Sequence, residues 1–216
     1  MTDTDVPTGT ATPATTSGAQ APPRGHAPPW LTGAISRIEG SDGLDGPVAA
    51  VDAVSERLLG SPEVESALRG DWAGHALHPL LTDFPLGAWL SASLLDLFGG
   101  RRSRPAATGL VAFGVAMSLP TAAAGLAEWR SADRTARRVA LVHAGINGVV
   151  AAAYTGSLVA RLGGRHRRGV ALALLGGSAA WVSGYLGGHL SLVRKIGTSD
   201  PAFGGPATDR DPVDGA

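Results

Sequence analysis

The stretch PLLTDFPLGAWLSASLLDLF, residues 79–98, is where the chain turns apolar and stays so. Twenty residues of α-helix rise about 30 Å, enough to cross the hydrocarbon core of a bilayer. Three further stretches repeat the pattern: PAATGLVAFGVAMSLPTAAAGLA (105–127), VALVHAGINGVVAAAYTGSLVA (139–160) and GVALALLGGSAAWVSGYLGGHLSLV (169–193). The first carries Asp83 and Asp96, the second no charged residue, and the last two a single histidine each. A helix of a soluble bundle shows a charged face over such a length, and none of these does. Arginine-rich loops separate them: RRSR (101–104), RSADRTARR (130–138) and RLGGRHRR (161–168). The sequence predicts an all-α fold, an integral membrane four-helix bundle over residues 79–193.

Outward from the bundle the character changes. Residues 1–29 are mostly Thr, Ala, Pro and Gly, too poor in large apolar side chains to offset the entropy of ordering, so a disordered tail is expected. They lack the basic and apolar regions of a secretory signal. Residues 30–78 read as short amphipathic helices and linker. Val48, Val51, Val54 and Leu58 fall at helical spacing, and Ser61-Pro62 marks the start of a second helix over 62–69. These helices would lie on the membrane surface or pack on the bundle. Residues 194–216 read as a second disordered tail.

Composition narrows the function classes. Eighteen basic and eighteen acidic side chains cancel, so nothing points to nucleic acid, and the bilayer is the expected partner. There is no cysteine, hence no disulfide and no iron–sulfur cluster held by this chain. No GxSxG elbow or phosphate loop is present. Four spans put both termini on one side. Arginine and lysine total seven at each end, so the positive-inside rule does not choose. The long amino-terminal tail without an export signal leads us to expect both termini in the cytoplasm of a multi-pass membrane protein. Oligomeric state is open.

Polar residues inside spans are costly and turn towards the bundle interior. Here they form stripes: His78, Thr82, Trp89, Ser93 and Asp96; Gly114, Ser118, Thr121, Gly125 and Glu128; His143, Asn147, Tyr154 and Ser157; Trp181, Tyr185 and His189. His143 stands five residues beyond Arg138 and His189 five before Arg194, which places both about 7 Å below one membrane face. His75 and His78 sit at the mouth of the first span on that face, Asp83 one turn deeper, and Glu128 closes the second span there. Histidines converging from several helices can ligate haem iron or hold a metal ion. The candidate site is therefore His75, His78, His143 and His189, with Asp83 and Glu128 as further metal ligands or as carboxylates that orient a ligating imidazole. Gly187 and Gly188 leave room for a flat macrocycle, and Gly184 and Gly188 have the spacing of close helix packing. Haem b, a divalent metal and a quinone all remain open. A redox module, a metal-dependent hydrolase and a cofactor-free assembly or scaffold protein are the three readings. The bland alternative is that each imidazole bonds a carbonyl or headgroup, and that Asp83 and Asp96 pair with Ser, Thr or Arg. His166 and His26 receive no role.

The segments DWAGHALHPLLTDFPLGAWLSASLLDL, GLAEW, RRVALVHAGINGVVAAAYTGSLVAR and GYLGGHL together resemble a bacterial family of uncharacterised four-helix membrane domains, over about residues 45–198. Some members carry a Rieske-type iron–sulfur domain after the last helix. The resemblance implies a bacterial cell membrane, an association with electron transfer, and a separate Rieske- or ferredoxin-type partner for this chain. Two departures stand out. Ala76 replaces the family's usual Pro, which predicts a looser turn between the histidines. Residues 199–216 hold neither Cys nor His, so the resemblance covers the membrane unit alone.

Overall fold

The computed structural model describes residues 27–197. Most of both expected tails lies outside that range. Among the described residues the secondary structure is helical throughout, with no strand. Three short helices come first: α1 (Pro29–Glu39), α2 (Asp45–Leu59) and α3 (Pro62–Arg69). Four long ones follow: α4 (Leu77–Phe98), α5 (Arg104–Trp129), α6 (Arg134–Leu162) and α7 (His166–Gly188), the last ending in a π-helical turn, His189–Val193.

The long helices run alternately up and down, α4 against α5 and α6 against α7, and the two hairpins close into a bundle. Three segments are long and apolar enough to cross a membrane: Arg101–Trp129, Arg134–Leu162 and His166–Val193. The expected count of four is thus met as four long helices, three of which have the composition of a span. Helix α4 differs because it carries His78, Asp83 and Asp96 within 22 residues.

The bundle centre is built on small residues. Trp89 and Tyr154 stack at its middle, ring centroids 4.0 Å apart and planes 4° from parallel. A Cβ added at Gly114 would lie 2.3 Å from the Trp89 Nε1, and one at Gly176 would lie 3.0 Å from the Tyr154 ring, so these glycines make the space the rings fill. Ala92, Ala107, Val111, Val150 and Ala173 complete this core. Leu90, Leu94, Phe113, Val149, Leu162 and Leu175 face outward, as lipid contact requires. The expected inward stripe on α7 is corrected here. Trp181 is 81% exposed and Tyr185 43%, while Ala173, Gly176, Ser183 and Leu186 face the bundle. Small side chains let helix backbones approach, and the wide aromatics are left to the lipid side.

The amino-terminal helices pack on the bundle as a cap. Helix α1 was not expected. It begins with Pro at its first position, where the missing N–H costs little. Ile35 of α1 is buried with Ala136, Val139, Leu186 and Leu190 in a second apolar cluster. Helix α3 follows the expected cap, with Val64 N–H donating to Ser61 Oγ at 3.3 Å. The carboxylates of the cap meet the cationic end of the bundle. Arg138, 5% exposed, donates through Nε to Asp45 Oδ1 at 2.8 Å and through Nη1 to the Glu39 carbonyl at 2.7 Å, and also pairs with Asp42. Arg134 pairs with Asp45, Arg130 with Glu65 at 3.0 Å, and Arg137 with Asp52 at 3.2 Å. Trp129 Nε1–H donates to Asp52 Oδ1 at 2.6 Å.

Candidate functional site

The six residues singled out for the site all lie towards the cap end of the bundle, but the structure divides them. His78 and His143 face one another near the bundle centre, ring centroids 6.2 Å apart and planes 86° from parallel. Each is anchored the same way. The Nδ1 of His78 lies 2.8 Å from the Thr121 carbonyl oxygen, and that of His143 lies 2.9 Å from the Ser183 carbonyl oxygen. A carbonyl only accepts, so the proton sits on Nδ1 in both rings and Nε2 carries the lone pair. At His143 the lone pair accepts from the Asn147 amide at 3.0 Å. Asn147 Oδ1 in turn accepts from Ser183 Oγ at 2.7 Å, closing a small ring of bonds between α6 and α7.

Two features of α4 and α5 fix the other imidazole. Pro85 has no N–H for the Leu81 carbonyl, and Thr121 Oγ1–H, which donates chiefly to the Met117 carbonyl at 2.8 Å, also reaches the Leu81 carbonyl at 3.2 Å. Thr121 thus accepts from α4 through its own carbonyl and donates to α4 through its hydroxyl. Gly125 leaves the space: an added Cβ would stand 2.9 Å from His78. Gly187 plays the same part for His143, at 3.1 Å. The room expected at Gly187 for a macrocycle is therefore occupied by the His143 ring.

The other candidates lie apart from this pair. His189 Nε2 is 3.0 Å from Glu39 Oε1, a carboxylate of α1, and Arg194 Nε donates to the same oxygen at 2.9 Å. Burial pushes the Glu39 carboxyl up, but the hydrogen bonds from Arg194 and His189 outweigh it and hold the group below the ordinary carboxylate range. Asp83 is exposed on the outer side of α4. His75 and Glu128 line a separate cavity of about 560 Å³, which Arg69, Asp71, Arg194 and Gly197 also border. Ala76, between the two early histidines, has φ −57° and ψ 127°. Those are angles proline would adopt, so the turn keeps the geometry the family's proline would impose. Among the described residues, no group of three or more His, Asp or Glu side chains is placed to hold a metal ion.

A second polar cluster stands at the opposite end of the bundle. Arg161 and Asp96 form an ion pair whose side chains are each 1% exposed. Arg161 Nη1 donates to Asp96 Oδ1 at 2.9 Å and its Nε donates to Ser157 Oγ at 3.0 Å, while Ser157 Oγ–H donates to the Gly169 carbonyl at 2.6 Å. His166 Nε2 lies 3.6 Å from Asp96 Oδ1. Asp96 was legible as a packing partner for Arg. The share of Arg161 and His166 was not, because both sit in an arginine-rich stretch that reads as headgroup contact.

Comparison with known proteins bears on the same residues. No curated protein and no solved structure shows significant similarity to the chain. Residues 74–200 match the family described as "Predicted membrane protein (DUF2231)". The match begins at the glycine before His75 and takes in all four long helices with His78, His143 and the Arg161–Asp96 pair, leaving the cap outside it. The chain belongs to this family of predicted membrane proteins.

Proposed function

We propose that the chain is a membrane module that holds a metal ion between His78 and His143, and that it works in electron transfer with a separate redox partner. The observation that carries this reading is the matched anchoring of the two imidazoles. An imidazole whose Nδ1–H is fixed on a backbone carbonyl presents its Nε2 as a ligand of set orientation. The two rings face one another across the bundle, on neighbouring turns of α4 and α6 at the same depth. Their centroids stand 6.2 Å apart. Asn147, which is exposed, would give up its bond to His143 Nε2 when the metal enters. A bound metal would supply a one-electron couple or a Lewis acid; the chain supplies the two nitrogens and a largely buried setting. Asp83 and Glu128 are turned elsewhere, which weighs against the hydrolase reading.

The cofactor-free scaffold is the second reading. It is favoured by the closed set of bonds around His143 and by the two glycine-made spaces that the imidazoles already fill. One experiment separates the two. The detergent-purified protein would be loaded with haemin or with zinc and examined by absorption spectroscopy and metal analysis. The metal-centre reading expects near-stoichiometric binding, lost in His78→Ala and His143→Ala and kept in His166→Ala. Wild-type protein that retains neither haem nor metal leaves the scaffold reading.

A further inference from the structure

The residues that meet at the bundle centre are spaced by a fixed interval. His78 and His143, Trp89 and Tyr154, and Asp96 and Arg161 are each 65 positions apart, and each pair is in mutual contact. The same offset carries buried Pro85 onto buried Val150 and buried Ala92 onto buried Ser157. On the partner helices the offset is 62. It carries Gly114, which receives the Trp89 ring, onto Gly176, which receives Tyr154. It carries Thr121, whose carbonyl accepts from His78, onto Ser183, whose carbonyl accepts from His143. It carries Gly125, which makes room for His78, onto Gly187, which makes room for His143. Four more pairs of buried positions follow: Ala107 and Gly169, Val111 and Ala173, Ala124 and Leu186, Glu128 and Leu190; Ala127 and Trp129, which pack under the cap end, have no buried counterpart.

We infer that the bundle is two copies of one helical hairpin, α4–α5 and α6–α7, related by a pseudo-two-fold axis along the bundle, and that the face on this axis is an interaction surface whose partner is the other copy of the hairpin. One position on that surface selects the partner. Where the first hairpin carries Asp96 the second carries Arg161. Two first hairpins would bury aspartate against aspartate, and two second hairpins would bury arginine against arginine; burial without a counter-ion forbids both. The surface therefore accepts only the unlike copy. Parallel repeats about an axis normal to the membrane are an established way to build multi-span proteins, and sites in them fall at the repeat interface. Here the matched histidines lie at one end of that interface and the charge pair at the other. The inference is independent of whether the histidines hold a metal.

Two measurements on the full chain test it. The chain has no cysteine, so introduced ones are its only thiols. Spin labels at Leu94→Cys with Leu175→Cys span α4 to α7, and labels at Val159→Cys with Phe113→Cys span the equivalent α6 to α5. All four sites are exposed. A two-fold axis requires matching distance distributions; mean distances differing by more than a helical turn, about 5 Å, would overturn the repeat. Separately, Asp96→Arg and Arg161→Asp should each abolish the stable monomer in detergent, and the combined exchange, carrying Ala92→Ser and Ser157→Ala so that the arginine keeps its serine, should restore it. An exchange no better than the single variants would overturn the role given to the charge pair.

Discussion

Gly114 and Trp89 show how closely single residues set this interior. An added Cβ at Gly114 would fall 2.3 Å from the Trp89 Nε1, inside any real contact distance. Gly114→Val should therefore expel the indole from its stack on Tyr154, at a cost of about 1–3 kcal/mol from overpacking, read as loss of the near-ultraviolet circular dichroism of the stacked rings and a lower melting temperature. The indole itself brings a liability. Its Nε1–H is buried and has no hydrogen-bond partner. Removing an unsatisfied donor costs nothing in hydrogen bonding, so the loss in Trp89→Phe should be only that of the cavity left by the smaller ring, about 1–3 kcal/mol, read as a moderately lower melting temperature. A drop well beyond that cavity cost would mean that the N–H is hydrogen-bonded after all. Arg161 presents the opposite case, because its partner is buried with it. Arg161→Ala leaves Asp96, at 1% exposure, with only His166 beside it at 3.6 Å and should destabilise the protein by about 3–5 kcal/mol, whereas replacing both by leucine should recover much of that loss.

At the scale of elements, the cap and the bundle are joined largely through charge. Hydrogen bonds from Arg138 and Arg134 hold the Asp45 carboxyl well below the usual carboxylate range, and Glu39 is also lowered by Arg194 and His189 once the opposing effect of burial is overcome. A carboxyl with a lowered folded-state pKa contributes stability that is present above its unfolded value and lost as pH falls through the folded value. The cap should thus stay docked at neutral pH and loosen only as pH falls below the ordinary carboxylate range, about 4, towards the lowered values of these groups. Trp129 reports the event, since its indole N–H is bonded to Asp52 of α2. Its fluorescence should shift in acid before the helical signal of the bundle falls, and a single coincident transition would contradict a separately docked cap. The cap also marks the limit of what the sequence made legible. Helices α2 and α3 were readable from apolar spacing and from Ser61-Pro62. Helix α1 was not read, although Leu31, Ala34, Ile35 and Ile38 of PWLTGAISRIE fall at helical spacing; it starts without a side-chain cap, carries Gly33 within, and packs Ile35 on the bundle. The long helices and the convergence of histidines on one end followed from hydropathy and depth. Which histidines meet did not, since that depends on rotation: His189 faces α1, while His78 and His143 face the centre. The repeat was also present in the sequence, but as spacing between positions of changed identity, such as Trp89 with Tyr154, and only contact made the correspondence visible.

For the whole molecule, the decisive property is how many helices cross the bilayer. Helix α4 falls outside the three plainly apolar segments, yet its outer surface is a continuous run of Leu80, Phe84, Leu86, Leu90, Leu94 and Leu97, all exposed. In water that face would be an apolar patch far larger than a soluble protein leaves uncovered. Asp96, near the far end of the helix, is turned inward onto Arg161 and needs no solvent. His78 is likewise turned inward, onto Thr121. Only Asp83 faces out, less than two turns from the helix start, within reach of the headgroup region. The physical expectation is that α4 spans the membrane beside α5, as its counterpart α6 does beside α7. Single cysteines test this in intact cells with a membrane-impermeant maleimide: Glu56→Cys in the cap, Arg102→Cys between α4 and α5, Ser131→Cys between α5 and α6, and Arg165→Cys between α6 and α7. Positions 56 and 131 should react from one side and positions 102 and 165 from the other, and the pair labelled from outside reads the orientation that the equal arginine and lysine counts leave open. Labelling of positions 56 and 102 from the same side would show that α4 lies along the membrane rather than across it, and would leave its leucine face in need of a protein partner.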